Sequence, residues 1–278
     1  MRGLTARAGL LLLWLLHWLP LPVLAPLGRA VGVLLWGLAG ERRRIALRNL
    51  ELCFPEKRPA ERRALAFAHF QYLGRSLLER SLLWHASPER LRRLVHVEGP
   101  VRFADEHAGP VMWLAPHFLG LDVAAVGIQL HVARPGCSIY QAQSNPVIDA
   151  ALHRARLRFG GSRAFSRRET AKPLLRAIKE GFGFFNLPDM DFGRKDAAFV
   201  PFFGVPAATL LAPSRMARLL GMAVQPVIAE MLPGGRGYKV RFHEPLAGFP
   251  TEDAEADSAC APTGTAPGTR GCAPRSSG

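Results

Sequence analysis

The stretch Val111-Met112-Trp113-Leu114-Ala115-Pro116-His117-Phe118-Leu119-Gly120-Leu121-Asp122 runs from an apolar strand through a proline and a histidine into the start of a helix. A strand that ends at Pro116 and delivers His117 into a turn puts the imidazole at the carboxyl edge of a sheet, where clefts open. On one regular helix His117 and Asp122 would lie about 140° apart, so their pairing requires His117 in the turn and Asp122 about one turn inside the helix. In that arrangement a neutral imidazole accepts the proton of an attacking hydroxyl while the carboxylate fixes its tautomer. Such a spacing also arises by chance among 9 histidines and 22 acids, and its other meaning is an exposed histidine at a helix start.

Downstream, short apolar runs alternate with helical stretches. Strands are expected at Cys137 to Tyr140, Phe184 to Leu187 and Ala223 to Ala229. Helices are expected at Pro146 to Phe159, at Thr170 to Glu180 before Gly181, and near Thr209 to Leu220 before Gly221. A hairpin through Pro233-Gly234-Gly235 leads to Tyr238 to Phe242, and Pro226 marks its strand as an edge or a bulge. Alternation of this kind defines an α/β fold, a mixed sheet flanked by helices. Upstream, residues 41–95 carry Ala64, Phe67, Phe70, Leu73 and Leu77 at helical spacing and read as two or three helices.

The amino-terminal region is uncharged and apolar from Ala8 to Leu27, with a second apolar run from Ala30 to Gly40 beyond Arg29. That length allows one tilted membrane span, retained rather than cleaved, although Pro20, Pro22 and Pro26 also admit an interfacial helix or a later start. The cluster Glu41-Arg42-Arg43-Arg44 just beyond it places the rest of the chain on the cytoplasmic side. From about Ala254 the sequence turns to Ala, Pro, Gly, Ser and Thr, a composition that cannot bury a core. The domain plan is thus an anchor over 1–40, a catalytic domain over 41–253 and a disordered tail over 254–278.

Among 278 residues, 36 Lys and Arg against 22 Asp and Glu give a net charge of +14, which suits an anionic partner such as a phosphorylated lipid or an acidic protein. No nucleic-acid motif accompanies the charge. Cys53, Cys137, Cys260 and Cys272 are scattered, as reduced thiols are. A Gly-Lys-Ser/Thr phosphate loop, a dinucleotide fingerprint, a zinc-ligand spacing and a Gly-x-Ser-x-Gly elbow are all missing from the sequence.

Two further blocks matter. Gln143-Ser144-Asn145-Pro146 is a helix start with Asn145 as cap and Pro146 in the first turn, followed by Arg156 and Arg158 on opposite flanks of an apolar stripe. Leu187-Pro188-Asp189-Met190-Asp191-Phe192-Gly193-Arg194-Lys195 then runs into the aromatic segment around Phe199, Phe202 and Phe203, which is either core or the lining of an acyl groove. With the His117–Asp122 stretch, these blocks resemble the bacterial lipid A late acyltransferases, the lauroyl and myristoyl transferase family, themselves similar to glycerolipid acyltransferases. Many members carry Glu where this chain has Asp122.

The resemblance implies a glycerolipid-acyltransferase-like fold and transfer of an acyl chain from acyl carrier protein to a hydroxyl of a Kdo-bearing lipid A precursor. It also implies that no metal or other cofactor is needed and that the enzyme works on the cytoplasmic face of the inner membrane. His117 and Asp122 would be catalytic, while Arg156, Arg158, Asp189, Asp191, Arg194 and Lys195 would bind substrate. Arg156 would be the arginine of its pair that contacts a phosphate or oxyanion, with Arg158 closer to surface charge. The carboxyl end departs from the family, whose members continue with a further helix and an aromatic, basic segment. The alternative is therefore a catalytically impaired, membrane-anchored protein that binds anionic lipid.

Overall fold

Prolines decide where the amino-terminal helices begin. In a computed structural model, which describes residues 2–168, 171–189, 197–251 and 257, the apolar start divides at Pro20 into α1 (Arg2–Leu16) and α2 (Leu21–Leu38). The helix therefore does not run on from Ala8, and among the described residues the one long and apolar enough to cross a membrane is α2, the later start that the prolines allow. Next come α3 (Gly40–Cys53) and the long α4 (Pro59–His85). Glycines let α2 lie directly on α4: a Cβ at Gly74 would run into the backbone of Gly28 and Gly32. Leu21, Leu24 and Ala25 are buried on that side of α2, whereas Val23, Leu27, Val33, Leu34 and Leu38 stay exposed.

After α5 (Pro88–Leu94) come β1 (Val95–Glu98), α6 (Phe103–Glu106), β2 (Val111–Leu114), α7 (Leu121–His131) and β3 (Gly136–Tyr140). The chain continues through α8 (Pro146–Arg156), β4 (Arg163–Ser166), α9 (Lys172–Lys179), β5 (Gly183–Asn186), β6 (Ala197–Phe202) and β7 (Val205–Leu210). It closes with α10 (Ala212–Leu220), β8 (Ala223–Met231) and β9 (Tyr238–Phe242). Seven strands form one sheet in the order β1-β9-β8-β2-β5-β3-β4. Pairing is parallel from β8 to β4, while β9 runs antiparallel to β8 and parallel to β1. The fold is therefore α/β with a mixed, mostly parallel sheet between helical layers.

Alternation along β2 shows why its sequence is apolar throughout. Val111 and Trp113 join the core shared with α4, α5 and α7, whereas Met112 and Leu114 join the opposite core under α9 and α10. Under the first layer Arg75 and Glu79 form an ion pair at 2.7 Å, both side chains 2% exposed, and the Tyr238 hydroxyl donates to Glu79 at 2.8 Å. Arg75 also donates to the Leu232 carbonyl at 3.0 Å, so α4 is fastened to the β8–β9 hairpin.

Three local expectations are corrected. Thr209 lies in β7, not in a helix, because the aromatic segment folds as an antiparallel β6–β7 hairpin turning at Phe203 and Gly204. Phe199 on it is 61% exposed, so it is not core. Pro226 is interior, between β2 and β9; β9 has ended at Phe242 where the missing N–H would face it, and the Pro226 carbonyl still accepts from His243 at 2.9 Å. The reasons differ: the aromatic segment pairs with its own neighbour in a separate hairpin, whereas Pro226 is made interior by β2, a partner far away in sequence.

The tail expected from 254 lies outside the described residues except for Asp257, which is buried and accepts from the Ser214 hydroxyl and, at 2.9 Å, from the Thr251 N–H. Cys53 and Cys137 are free thiols, and burial pushes Cys137 up to about 12.

Candidate active site

β2 and β5 are parallel neighbours with Leu114 opposite Asn186, and the Ala115 N–H extends the ladder to the Asn186 carbonyl at 2.9 Å. Both chains then leave the sheet, and three residues past those partners stand His117 and Asp189. They meet: His117 Nδ1 lies 2.7 Å from Asp189 Oδ1, and the His117 backbone N–H donates to Asp189 Oδ2 at 2.7 Å. Burial pushes the Asp189 carboxyl up, but the bonds from the His117 ring and backbone outweigh it and hold it below the usual carboxylate range. An ionised Asp189 accepts only, so Nδ1 carries the hydrogen, and in the neutral tautomer this selects, Nε2 keeps the lone pair.

The carboxylate that grips the histidine is thus Asp189 and not Asp122. Asp122 does sit in the first turn of α7, as expected, but its carboxylate pairs with Arg80 of α4 at 2.9 Å. Arg156, at the end of α8, is depressed by burial, and Asp122 pushes it back up while Arg80 works in the other direction. Asp122 therefore pairs with Arg80 of α4 and shares the lining of one cavity with Arg156 of α8. Arg80 was not among the residues singled out in the sequence, where it is one arginine in a helical region rich in them.

Asn145 caps α8 as expected, its side chain accepting from Val147 and Ile148, with Pro146 in the first turn. Arg158 is corrected: its guanidinium donates to the Leu83 and Ala86 carbonyls, each at 2.8 Å, and so closes the end of α4 instead of facing substrate or lipid. Asp191, Arg194 and Lys195 lie outside the described residues.

Two cavities open at this carboxyl edge of the sheet. One, of about 520 Å³, is lined by His117 with His69, Tyr72, Gly120 and Glu230. The other, narrow and of about 90 Å³, begins at Asp122, Arg156 and Leu187 and runs inward. Among the described residues no group of three His, Cys, Asp or Glu side chains is placed to hold a metal ion.

A histidine locked by a carboxylate and lining a cleft, with Asp122 and Arg156 on the neighbouring cavity, is the equipment of a general base next to an anion site. Comparison with known proteins specifies the class. Residues 2–261 match the family described as bacterial lipid A biosynthesis acyltransferase, and the chain belongs to that family. It is 33% identical over 254 residues to the lipid A biosynthesis lauroyltransferase of Escherichia coli (strain K12), covering 90% of this chain and 82% of that one. To the palmitoleoyltransferase of the same organism it is 31% identical over 251 residues, covering 89% and 81%. Among solved structures, the 1-acyl-sn-glycerophosphate acyltransferase PlsC from Thermotoga maritima is 18% identical with a TM-score of 0.36, over 75% of this chain and 90% of that one.

Proposed function

We propose that the chain transfers a fatty acyl group of the lauroyl or myristoyl class from acyl carrier protein to a hydroxyl of a Kdo-bearing lipid A precursor. The reaction takes place at the cytoplasmic face of the bacterial inner membrane, with α2 as the membrane contact. The observation that carries this reading is the pair of hydrogen bonds from His117 to Asp189, which leaves Nε2 of the imidazole without a partner among the described residues, on a side chain that lines the open cleft. The acceptor hydroxyl enters that cleft and gives its proton to Nε2 as its oxygen bonds to the thioester carbon. The carbon–sulfur bond then breaks, and the imidazolium returns the proton to the departing thiolate. Asp189 stabilises the imidazolium between these steps.

Arg156 and Arg80 take a phosphate of the substrate, with Asp122 holding the Arg80 fork in place and lining the narrow cavity together with Arg156. Asp191, Arg194 and Lys195, in the segment that follows Asp189, complete the grip on phosphate or sugar. The +14 charge draws both the acidic carrier and the phosphorylated lipid.

The test is transfer from lauroyl and myristoyl carrier protein to the Kdo-bearing precursor in membranes containing this chain. Product is expected from the unaltered chain, with a loss of about 10³-fold or more in His117→Ala. Binding of the precursor without any turnover, unchanged by His117→Ala, would favour the lipid-binding alternative.

A further inference from the structure

The narrow cavity reaches away from the histidine toward the amino ends of the strands. Its mouth is marked by Asp122 and Leu187, and its far end by Gln129, Gly136, Ser162 and Trp113. From Asp122 to Gln129 is about 10 Å of helix. From Leu187 back to Gly183 is about 13 Å of extended chain. Leu187 lies two residues before Asp189, so the mouth adjoins the reacting centre.

The Trp113 side chain lies across that far end. Gly136 and Gly183 are register partners on β3 and β5, and the Trp113 indole lies across both of them. A Cβ on Gly183 would run into the six-membered ring, and a Cβ on Gly136 would stand 3.6 Å from Trp113 Cζ3 and 3.6 Å from Ser162 Oγ. Trp113 is fully buried. Neighbouring polar groups are spent internally: Gln129 donates to the Arg156 carbonyl at 3.1 Å and accepts from the Phe159 N–H at 3.3 Å, Ser162 donates to the Phe159 carbonyl at 3.4 Å, and Arg163 is paired with Glu180 at 2.7 Å. What remains for a guest between Asp122 and Trp113 is a mostly apolar wall that includes Leu121, Ala125, Ile128 and Phe185.

From this we infer that Trp113 sets the length of the acyl chain, its indole forming the floor against which the methyl end stops, while the absence of a side chain at Gly136 keeps the last part of the slot open. The inference rests on the acyl-transfer reading above and names the residues that choose the donor. A chain too long for the slot holds its thioester away from His117, and each methylene in such a pocket is worth about 10- to 200-fold in selectivity.

The experiment is competition among carrier-protein thioesters from octanoyl to palmitoyl, with kcat/KM taken at each length. Gly136→Val starts in ordinary contact and grows into the slot, so the preferred chain should become shorter, with about 10- to 200-fold loss per methylene that no longer fits. Trp113→Phe lowers the floor and should raise the relative rate of longer chains. The indole N–H has no partner among the described residues, so phenylalanine leaves no acceptor unpaired. If Gly136→Val is not folded by circular dichroism, Trp113→Phe alone decides. An unchanged length profile, or an equal loss at all lengths, overturns the floor but leaves the acyltransferase reading standing. No transfer at any length by the unaltered chain overturns that reading and the floor with it.

Discussion

Asp189 accepts from His117 twice, at the ring and at the backbone, whereas Asp122 faces Arg80, so the two carboxylates can be told apart by kinetics. Asp189→Asn presents an amide to Nδ1 and permits the wrong tautomer. It is expected to lower kcat by about 10⁴-fold with little change in KM. Asp122→Asn leaves the imidazole oriented but loosens Arg80 and Arg156, and the expected effect falls mainly on KM. Steady-state kinetics on both variants checks this, and the opposite pattern would return the histidine's partner to Asp122. The sequence exposed His117 because a strand, a proline and a helix start surround it. It could not expose the partner, because the contact depends on β5 lying beside β2 while β3 and β4 intervene in the chain. Arg80 was hidden for a similar reason: only the packing of α4 beside α7 singles it out among the many arginines of its region.

At the scale of elements, the close approach of α2 and α4 depends on the hydrogen side chains of Gly28, Gly32 and Gly74. Gly74→Ala is expected to cost about 1–3 kcal/mol by forcing the helices apart. In contrast Gly37, also in α2, has open space where its Cβ would be, and Gly37→Ala should stabilise the protein by up to about 1 kcal/mol. Thermal melts of the two variants in detergent measure the difference, and equal effects would mean that the helices do not rest on each other through glycine. Helices were well marked in the sequence by Asn145, by prolines in first turns and by Gly221 at a helix end. Strands were less so. β1 and β4 have only four residues each, and β6 and β7 pair with each other rather than with the main sheet, so an apolar run gave little warning of them.

For the whole molecule, acid is the disturbance to examine. Burial lowers His85, aided by His17 and Arg158; it lowers His131, aided by Arg92, and His243, aided by Arg241. In each the folded-state value lies below the ordinary 6.5, so below that pH the unfolded chain binds more protons and stability is lost as pH falls. The urea midpoint should therefore decrease between about pH 7.5 and 5.5, above the range where carboxylates titrate. Replacing His131 and His243 by Gln should flatten that slope, and an unchanged slope would remove these histidines from the explanation.

The buried contact of Tyr238 with Glu79 has a bearing on the order in which the protein can be completed during synthesis. Helix α4 leaves the ribosome early, but the hydroxyl that seals its ion pair and the Leu232 carbonyl that receives Arg75 come from the far end of the domain. Until that hairpin emerges, a guanidinium and a carboxylate meant for a dry interior remain without their remaining partners, and burying them early would be costly. The nascent helix must therefore keep water, or a lipid headgroup, around Arg75 and Glu79 until the β8–β9 hairpin arrives, so that a segment made late closes one made early.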